Sequence, residues 1–159
     1  MNLDWLPPDM AALIEQATEP QRIAATLYGE ARSEPVQGII AVANVIRHRI
    51  RQPQRFGVSP SDVVTKKKQF SCWSPIGGEG NYRRVKALMQ QFVDGSQIVD
   101  LGARECIGIA HLMLQDYLRD NVKGSTHYHT FKLIPRPEWT QGESPACQQG
   151  NHLFYNTVK

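Results

Sequence analysis

The sequence has few cysteines, and their arrangement does not suit a protein stabilised by disulfides or by a structural metal ion. Its 159 residues include three cysteines, Cys72, Cys106 and Cys147, which are widely spaced and form no CxxC pair. The odd number and the spacing argue against a disulfide framework and a zinc ribbon. We therefore expect reduced, partly buried thiols.

Long apolar runs are also missing. The longest uninterrupted one, residues 38–43, is far too short to span a bilayer. The first ten residues, MNLDWLPPDM, have no basic region followed by an apolar one, so no secretory signal is visible. We therefore expect synthesis in the cytoplasm and no stable insertion into a membrane.

Charge of one sign is only slightly in excess. The net charge is +3 and the pI is near 8.8, which favours an acidic polymer or envelope surface but is too small to indicate nucleic-acid binding. The one charge run, Lys66-Lys67-Lys68, predicts a solvated helix end or loop rather than a phosphate-binding patch.

The sequence is long enough, and apolar enough at 41%, for one domain with a buried core. Apolar periodicity, caps and prolines predict six helices. They are residues 9–18 with Asp9 as N-cap, a helix from about Pro20 with Glu30 near its end, Pro35–Ile50, a short helix at 61–64, Asn81–Val93, and Ile98–Leu118.

The helix predicted over residues 35–50 has the strongest pattern and indicates a central helix. Its buried stripe is predicted to contain Val36, Ile39, Ile40, Ala43, Ile46 and Ile50, widened by Val42 and Val45. Its outward face is predicted to contain Gln37, Asn44, Arg47 and Arg51. No helical period continues beyond Gly124. The predicted fold is a mainly α single domain with a loop-rich C-terminal third.

Four short stretches combine aromatic rings with polar groups. They are YGEAR at 28–32, QFSCW at 69–73, GSTHYH at 124–129 and GNHLFY at 150–155. Rings that stack on sugar faces, next to groups that bind hydroxyls, are typical of a carbohydrate cleft. Each stretch alone also has a structural interpretation, because rings and histidines of this kind often belong to a core.

Together, YGEARSEP, the amphipathic helix after it, FSCW, THYH and GNHLFY resemble the SleB-type cell-wall hydrolases, which are spore-cortex-lytic enzymes with relatives among bacteriophage endolysins. The resemblance covers roughly residues 22 to 155. It implies cleavage of peptidoglycan glycan strands on a lysozyme-like, lytic-transglycosylase-like helical fold. Within residues 1–159 no separate wall-binding domain is expected, which favours a single-domain, monomeric endolysin that reaches the wall through a holin or cell lysis.

The resemblance also implies roles for individual residues. The catalytic glutamate of the family matches Glu30. Substrate binding is implied for Tyr28, Phe70, Ser71, Trp73, His127 and Tyr128. Structural roles beside the site are implied for Arg32, His152 and Phe154. No metal and no cofactor is implied. His129 departs from the family pattern, in which Tyr or Asn commonly follows the His-Tyr pair.

Glycosidic cleavage requires a general acid, and a desolvated glutamate could hold its proton near neutral pH. The sequence shows no persuasive second carboxylate among Glu34, Asp62 and Glu79. One carboxylate suffices if the muramic C6 hydroxyl attacks the anomeric carbon, so a lytic transglycosylase is predicted first and an inverting muramidase second.

Two other classes remain open. A zinc-dependent amidase could use His127, His129 and His152 as ligands, because the H-x-H spacing places two rings on one side of a strand. A non-catalytic glycan-binding module would explain the aromatic residues but would leave Glu30 without a function.

Overall fold

A computed structural model describes residues 1–159, and its first 114 residues form a set of α-helices around one apolar core. The helices are α1 (Pro8–Gln16), α2 (Glu19–Ala31), α3 (Val36–Ile50), α4 (Pro53–Phe56), α5 (Pro60–Thr65), α6 (Glu79–Asp94) and α7 (Leu101–Leu114). Helix α2 packs against α3, α5, α6 and α7, so it lies in the middle of this set. The prediction of a mainly α fold is confirmed.

Helix α2 begins at a capping box. The Thr18 hydroxyl accepts a hydrogen bond from the Gln21 N–H, and the Gln21 side chain accepts one from the Thr18 N–H. The helix ends at Ala31, and the predicted break before Pro35 follows. Glu30 therefore lies in the last turn of α2, as the sequence indicates.

Helix α3 is largely buried, but its buried face differs from the predicted one. Val36 is 45% exposed, whereas Asn44 is fully buried. The Asn44 amide donates hydrogen bonds to the carbonyl oxygen of Arg119 and the side chain of Asn121. A polar side chain can occupy the core when buried partners satisfy it, and apolar periodicity cannot detect such partners.

Two helix boundaries also differ. Asp9 is not the cap of α1, because the N-cap is Pro7 and the Asp9 carboxylate accepts from the Met10 N–H inside the first turn. Helix α7 is shorter than the predicted 98–118. It begins after Asp100, whose carboxylate caps it by accepting from the Ala103 N–H at 2.8 Å, and it ends at Leu114.

The last third of the sequence contains a small antiparallel sheet that the sequence does not predict. Its strands are β1 (His127–Thr130), β2 (Cys147–Gln149) and β3 (His152–Tyr155), and β3 lies in the centre. In the register, Tyr128 is opposite Phe154 and Thr130 is opposite His152. One face packs on α3 through a second apolar cluster of Ala41, Val45, Val122 and Phe154. None of the helices is long and apolar enough to cross a membrane.

Candidate active site

Glu30 is held at the end of α2 by two hydrogen-bond donors from distant parts of the sequence. The Tyr128 hydroxyl on β1 donates to Glu30 Oε2 at 2.8 Å. The Cys72 N–H donates to Glu30 Oε1 at 3.3 Å. Glu30 is half-buried, and each of its oxygens keeps acceptor capacity for a further partner. The carboxyl group is therefore fixed in orientation.

Burial raises the pKa of the Glu30 carboxyl above its ordinary value, because desolvation disfavours the charged form. The hydrogen bonds from Tyr128 and Cys72 and the positive charge of Arg49 act in the opposite direction. Burial is the largest of these effects, so the carboxyl keeps its proton to a higher pH than an exposed glutamate. This is the property that a general acid needs.

A glycine permits the contact between α2 and the segment that contains Cys72. A Cβ atom at Gly29 would lie 2.4 Å from Cys72 Cβ and 2.9 Å from a methyl carbon of Val85. Only glycine allows this approach, which explains why a poor helix former precedes Glu30. Burial raises the pKa of the Cys72 thiol well above its ordinary value, so the thiol beside Glu30 stays protonated.

Tyr128 is itself positioned by aromatic neighbours on the face of the sheet that packs on α3. Its ring stacks on Phe154, with centroids 5.6 Å apart, and meets the edge of His152 at 5.1 Å. Burial raises the pKa of the Tyr128 hydroxyl well above its ordinary value, so it stays a donor. His152 and Phe154 therefore lie beside Tyr128 on this face of the sheet.

Arg49 is a charged group near the site that was not among the residues predicted from the sequence. Its side chain is 5% exposed, its Nε donates to the Thr126 carbonyl, and its guanidinium lies 4.9 Å from the Phe70 ring centroid and 5.3 Å from that of Phe56. Burial lowers the pKa of Arg49 to about 10, against the opposing charges of Tyr128 and Glu30. It therefore remains a cation at neutral pH.

A signal for Arg49 was present in the sequence. It lies three residues after Ile46 and seven after Val42, so it shares the apolar face of α3. A charge at a core-facing helical position has to find a partner, and burial of this kind is frequent near functional sites.

Two of the aromatic residues expected to contact substrate lie in the core. Trp73 is fully buried, and its indole N–H donates a hydrogen bond to the Val64 carbonyl. Tyr28 is 8% exposed, and its hydroxyl donates a hydrogen bond to the Asp100 carboxylate. Tyr28 does not cover Glu30, because residues two apart point to different sides of a helix. These two rings pack the helices around the site and present no face to a sugar.

The other expected residues have mixed placements. Phe70 is 2% exposed and lies under Arg49, whereas Ser71 is exposed beside it. Arg32 donates to Tyr28 O and to Asn81 Oδ1, so it ties α2 to α6. It does not pair with Glu30.

The three histidines considered as zinc ligands do not converge. His127 and His129 lie on one face of β1, and both contact Trp139. His152 is opposite Thr130 in the register, so its side chain lies on the other face of the sheet. No group of three His, Cys, Asp or Glu residues in the structure is arranged to hold a metal ion. The zinc amidase alternative is therefore wrong on geometry.

Burial lowers the pKa of His127 to about 4, so this ring is neutral at neutral pH. His129 is buried and shares hydrogen bonds with the Thr130 carbonyl and the Tyr155 hydroxyl. Its role is therefore to connect β1 and β3.

The three carboxylates considered as partners of Glu30 have other partners. Glu34 accepts two hydrogen bonds from Asn151, at 2.9 and 3.1 Å. Asp62 accepts from Ser59 and pairs with the N-terminal amine, and Glu79 pairs with Arg83. None of them contributes to the raised pKa of Glu30.

Comparisons with known proteins show the family of this helical domain. The model of the cell wall hydrolase family matches residues 33–155, a segment that begins three residues after Glu30. The chain therefore belongs to the cell wall hydrolase family, and its substrate is peptidoglycan. No curated protein matches it significantly.

Two solved structures share the fold. The catalytic domain of the Bacillus cereus SleB protein is 20% identical, with a TM-score of 0.58 over 86% of this chain and 88% of that one. The catalytic domain of the germination-specific lytic transglycosylase SleB from Bacillus anthracis is 21% identical, with a TM-score of 0.56 over 86% of this chain and 93% of that one. The expected SleB-like fold is confirmed.

Proposed function

We propose that this protein is a lytic transglycosylase that cleaves the bond between N-acetylmuramic acid and N-acetylglucosamine in peptidoglycan. The observation that carries the proposal is the setting of Glu30. It is a desolvated carboxyl held in a fixed orientation, and Glu34, Asp62 and Glu79 are all engaged elsewhere. A single acid of this kind fits a reaction that needs no second carboxylate.

In the first step, the Glu30 carboxyl gives its proton to the glycosidic oxygen, and the bond from that oxygen to muramic C1 breaks. The resulting Glu30 carboxylate is stabilised by the Tyr128 hydroxyl, the Cys72 N–H and the charge of Arg49. In the second step, it removes the proton of the C6 hydroxyl while O6 bonds to C1. The product is a 1,6-anhydromuramic end, Glu30 is protonated again, and no water is consumed.

Inverting hydrolysis is the alternative, and the products distinguish it. In such enzymes a second carboxylate activates a water, and the two carboxyl groups are roughly 6.5–9.5 Å apart. We expect mass spectrometry of peptidoglycan digested in ¹⁸O-water to show anhydro ends without ¹⁸O. Reducing ends that carry ¹⁸O would show that the enzyme is a hydrolase.

The role of Glu30 is tested in the same assay with Glu30→Gln, which keeps the size but removes the transferable proton. General acid–base catalysis contributes about 10²–10⁴-fold, and one residue serves both steps, so the loss should be at least at the upper end. Glu79→Gln is the matched control, since Glu79 is exposed and paired only with Arg83. A folded Glu30→Gln variant with the wild-type rate contradicts the assignment.

We also propose that the protein acts as a bacteriolytic endolysin that reaches the wall after release from the cytoplasm. The net charge of +3 favours association with an anionic wall. Addition of purified protein to cells with permeabilised membranes should cause lysis, and intact sacculi without loss of turbidity would contradict this role.

A further inference from the structure

A groove lies beside the segment that holds Glu30. It has a volume of about 370 Å³ and is lined in part by Phe70 and Ser71, the two residues before Cys72. Ser71 is followed by Cys72, whose N–H donates to Glu30, so the lining of the groove is contiguous along the chain with a residue that contacts the acid. Its volume is within the range of small-ligand sites, roughly 300–1,000 Å³. The glycosidic chemistry described above uses no side chain of this groove.

Part of the lining of the groove carries unpaired positive charge. Lys67 and Lys68 are exposed in the loop after α5 and form no hydrogen bond or ion pair with the rest of the chain. Their neighbour Lys66 differs, because its ammonium donates to the Arg55 carbonyl at 2.8 Å. The charge run therefore contains one structural lysine and two that are free to bind an anion.

Another part of the lining is apolar. Ile76 is 96% exposed. Trp5 is half-buried, and its indole N–H donates a hydrogen bond to the Thr65 carbonyl at 3.3 Å. Together these two side chains give the groove an apolar surface against which a ligand can pack. Trp5 precedes the residues that match the family model, and Ile76 lies within them.

We propose that this groove binds the peptide stem of the peptidoglycan strand, with Lys67 and Lys68 pairing with stem carboxylates and Trp5 and Ile76 covering its apolar part. The inference rests on the proposed function. In peptidoglycan the stem hangs from the lactyl group of muramic acid, the sugar whose C1 reacts, so it lies beside the bond above Glu30. Complementary charge and contiguity with the acid both favour the stem as the occupant.

The experiment compares two substrates, peptidoglycan strands with stems and strands from which an amidase has removed the stems. Lys67→Gln/Lys68→Gln lowers the net charge from +3 to +1, because 3 − 2 = 1. The control Lys132→Gln/Lys159→Gln makes the same change at two other exposed lysines. Two partly exposed charge pairs should be worth about 5- to 20-fold in kcat/KM on stem-bearing strands, mainly through KM. The rate on stem-free strands should not change.

Titration with the free stem peptide, followed by NMR, tests the same site without turnover. It should shift the amide signals of Lys67, Lys68 and Ser71, and added salt should weaken the binding. The proposal is overturned by equal losses on both substrates, by an equal effect of the control pair, or by peptide binding that leaves these amides unmoved. Failure of the wild-type protein to cleave either substrate contradicts the proposed function, and the peptide titration then still decides whether the stem binds.

Discussion

At the scale of the residue, the chemistry of Glu30 depends on opposing effects on one proton. In the proposed mechanism, burial holds the proton on the carboxyl group, while Tyr128, Cys72 and Arg49 stabilise the anion left after its transfer. A one-residue acid and base needs both, because the same group must give a proton in the first step and remove one in the second. Arg49 is the only fully charged group among the three stabilising partners.

Replacement of Arg49 by methionine should raise the pKa of Glu30 further, because it removes the nearby positive charge that lowers it. The alkaline limb of kcat/KM against pH reports the acid in the free enzyme, so it should move to higher pH. Arg49→Lys keeps the charge and should leave the limb in place. An unchanged limb in the methionine variant, with the fold verified by circular dichroism, would show that Arg49 does not act on Glu30.

At the scale of the element, the site depends on how closely helix α2 approaches the segment that contains Cys72. Gly29 and Cys72 touch because the helix has no Cβ at this point. A methyl group of Val85 in α6 also lies next to Gly29, so α2, α6 and the segment that contains Cys72 meet at this contact. In the sequence, this contact is visible only as a glycine inside a helix. The reason for the glycine is the close approach of Cys72 and Val85 in the folded protein.

Gly29→Ala should destabilise the protein by about 1–3 kcal/mol, because the added methyl group overpacks the contact. Activity should fall at least about tenfold, since a misplacement of even 1 Å can cost about 10²-fold and the Cys72 N–H would move away from Glu30. Urea unfolding and peptidoglycan turnover measure the two effects.

Gly108→Ala is the matched control. Gly108 lies inside α7, and no neighbouring atom lies within 4 Å of the position that an added methyl group would take. Alanine there should therefore be neutral or should stabilise the protein by about 0.5–1 kcal/mol. If the two variants behaved alike, close approach at Gly29 would not explain the glycine.

At the scale of the whole molecule, the sheet connects the C-terminal segment to Glu30. Strand β3 is central, and its Phe154 is fully buried between the sheet and α3 while it stacks on Tyr128. The segment from residue 150 to the end therefore supports Tyr128, the hydrogen-bond donor to Glu30. This segment lies 120 positions or more from Glu30 along the chain.

Deletion of residues 150–159 should lower the melting temperature and abolish most activity, because it removes the central strand and releases Tyr128. Phe154→Ala should cost about 3–5 kcal/mol and reduce activity as well. Leu153→Ala, on the other face of β3, is the control and should have the smaller effect on turnover, since Leu153 does not touch Tyr128. A truncated protein with an unchanged melting curve would show that this segment is not packed on the helices.

Features that depend on residues close together in the amino-acid sequence could be predicted from it. The helix over residues 35–50, the proline at the start of α2, and the position of Glu30 in a last helical turn are all local, and the structure agrees with them. The glutamate motif and the aromatic-rich stretches were also sufficient to indicate the family, which the match over residues 33–155 confirms.

Which of these residues meet depends on the packing of the whole chain. That packing places Trp73 in the core, Arg49 beside Glu30, and His152 on the face of the sheet opposite His127. The hydrogen bond from Tyr128 to Glu30 joins residues 98 positions apart. Such contacts depend on strand register and helix packing, which are set by the burial of the whole apolar surface at once, so no local pattern contains them.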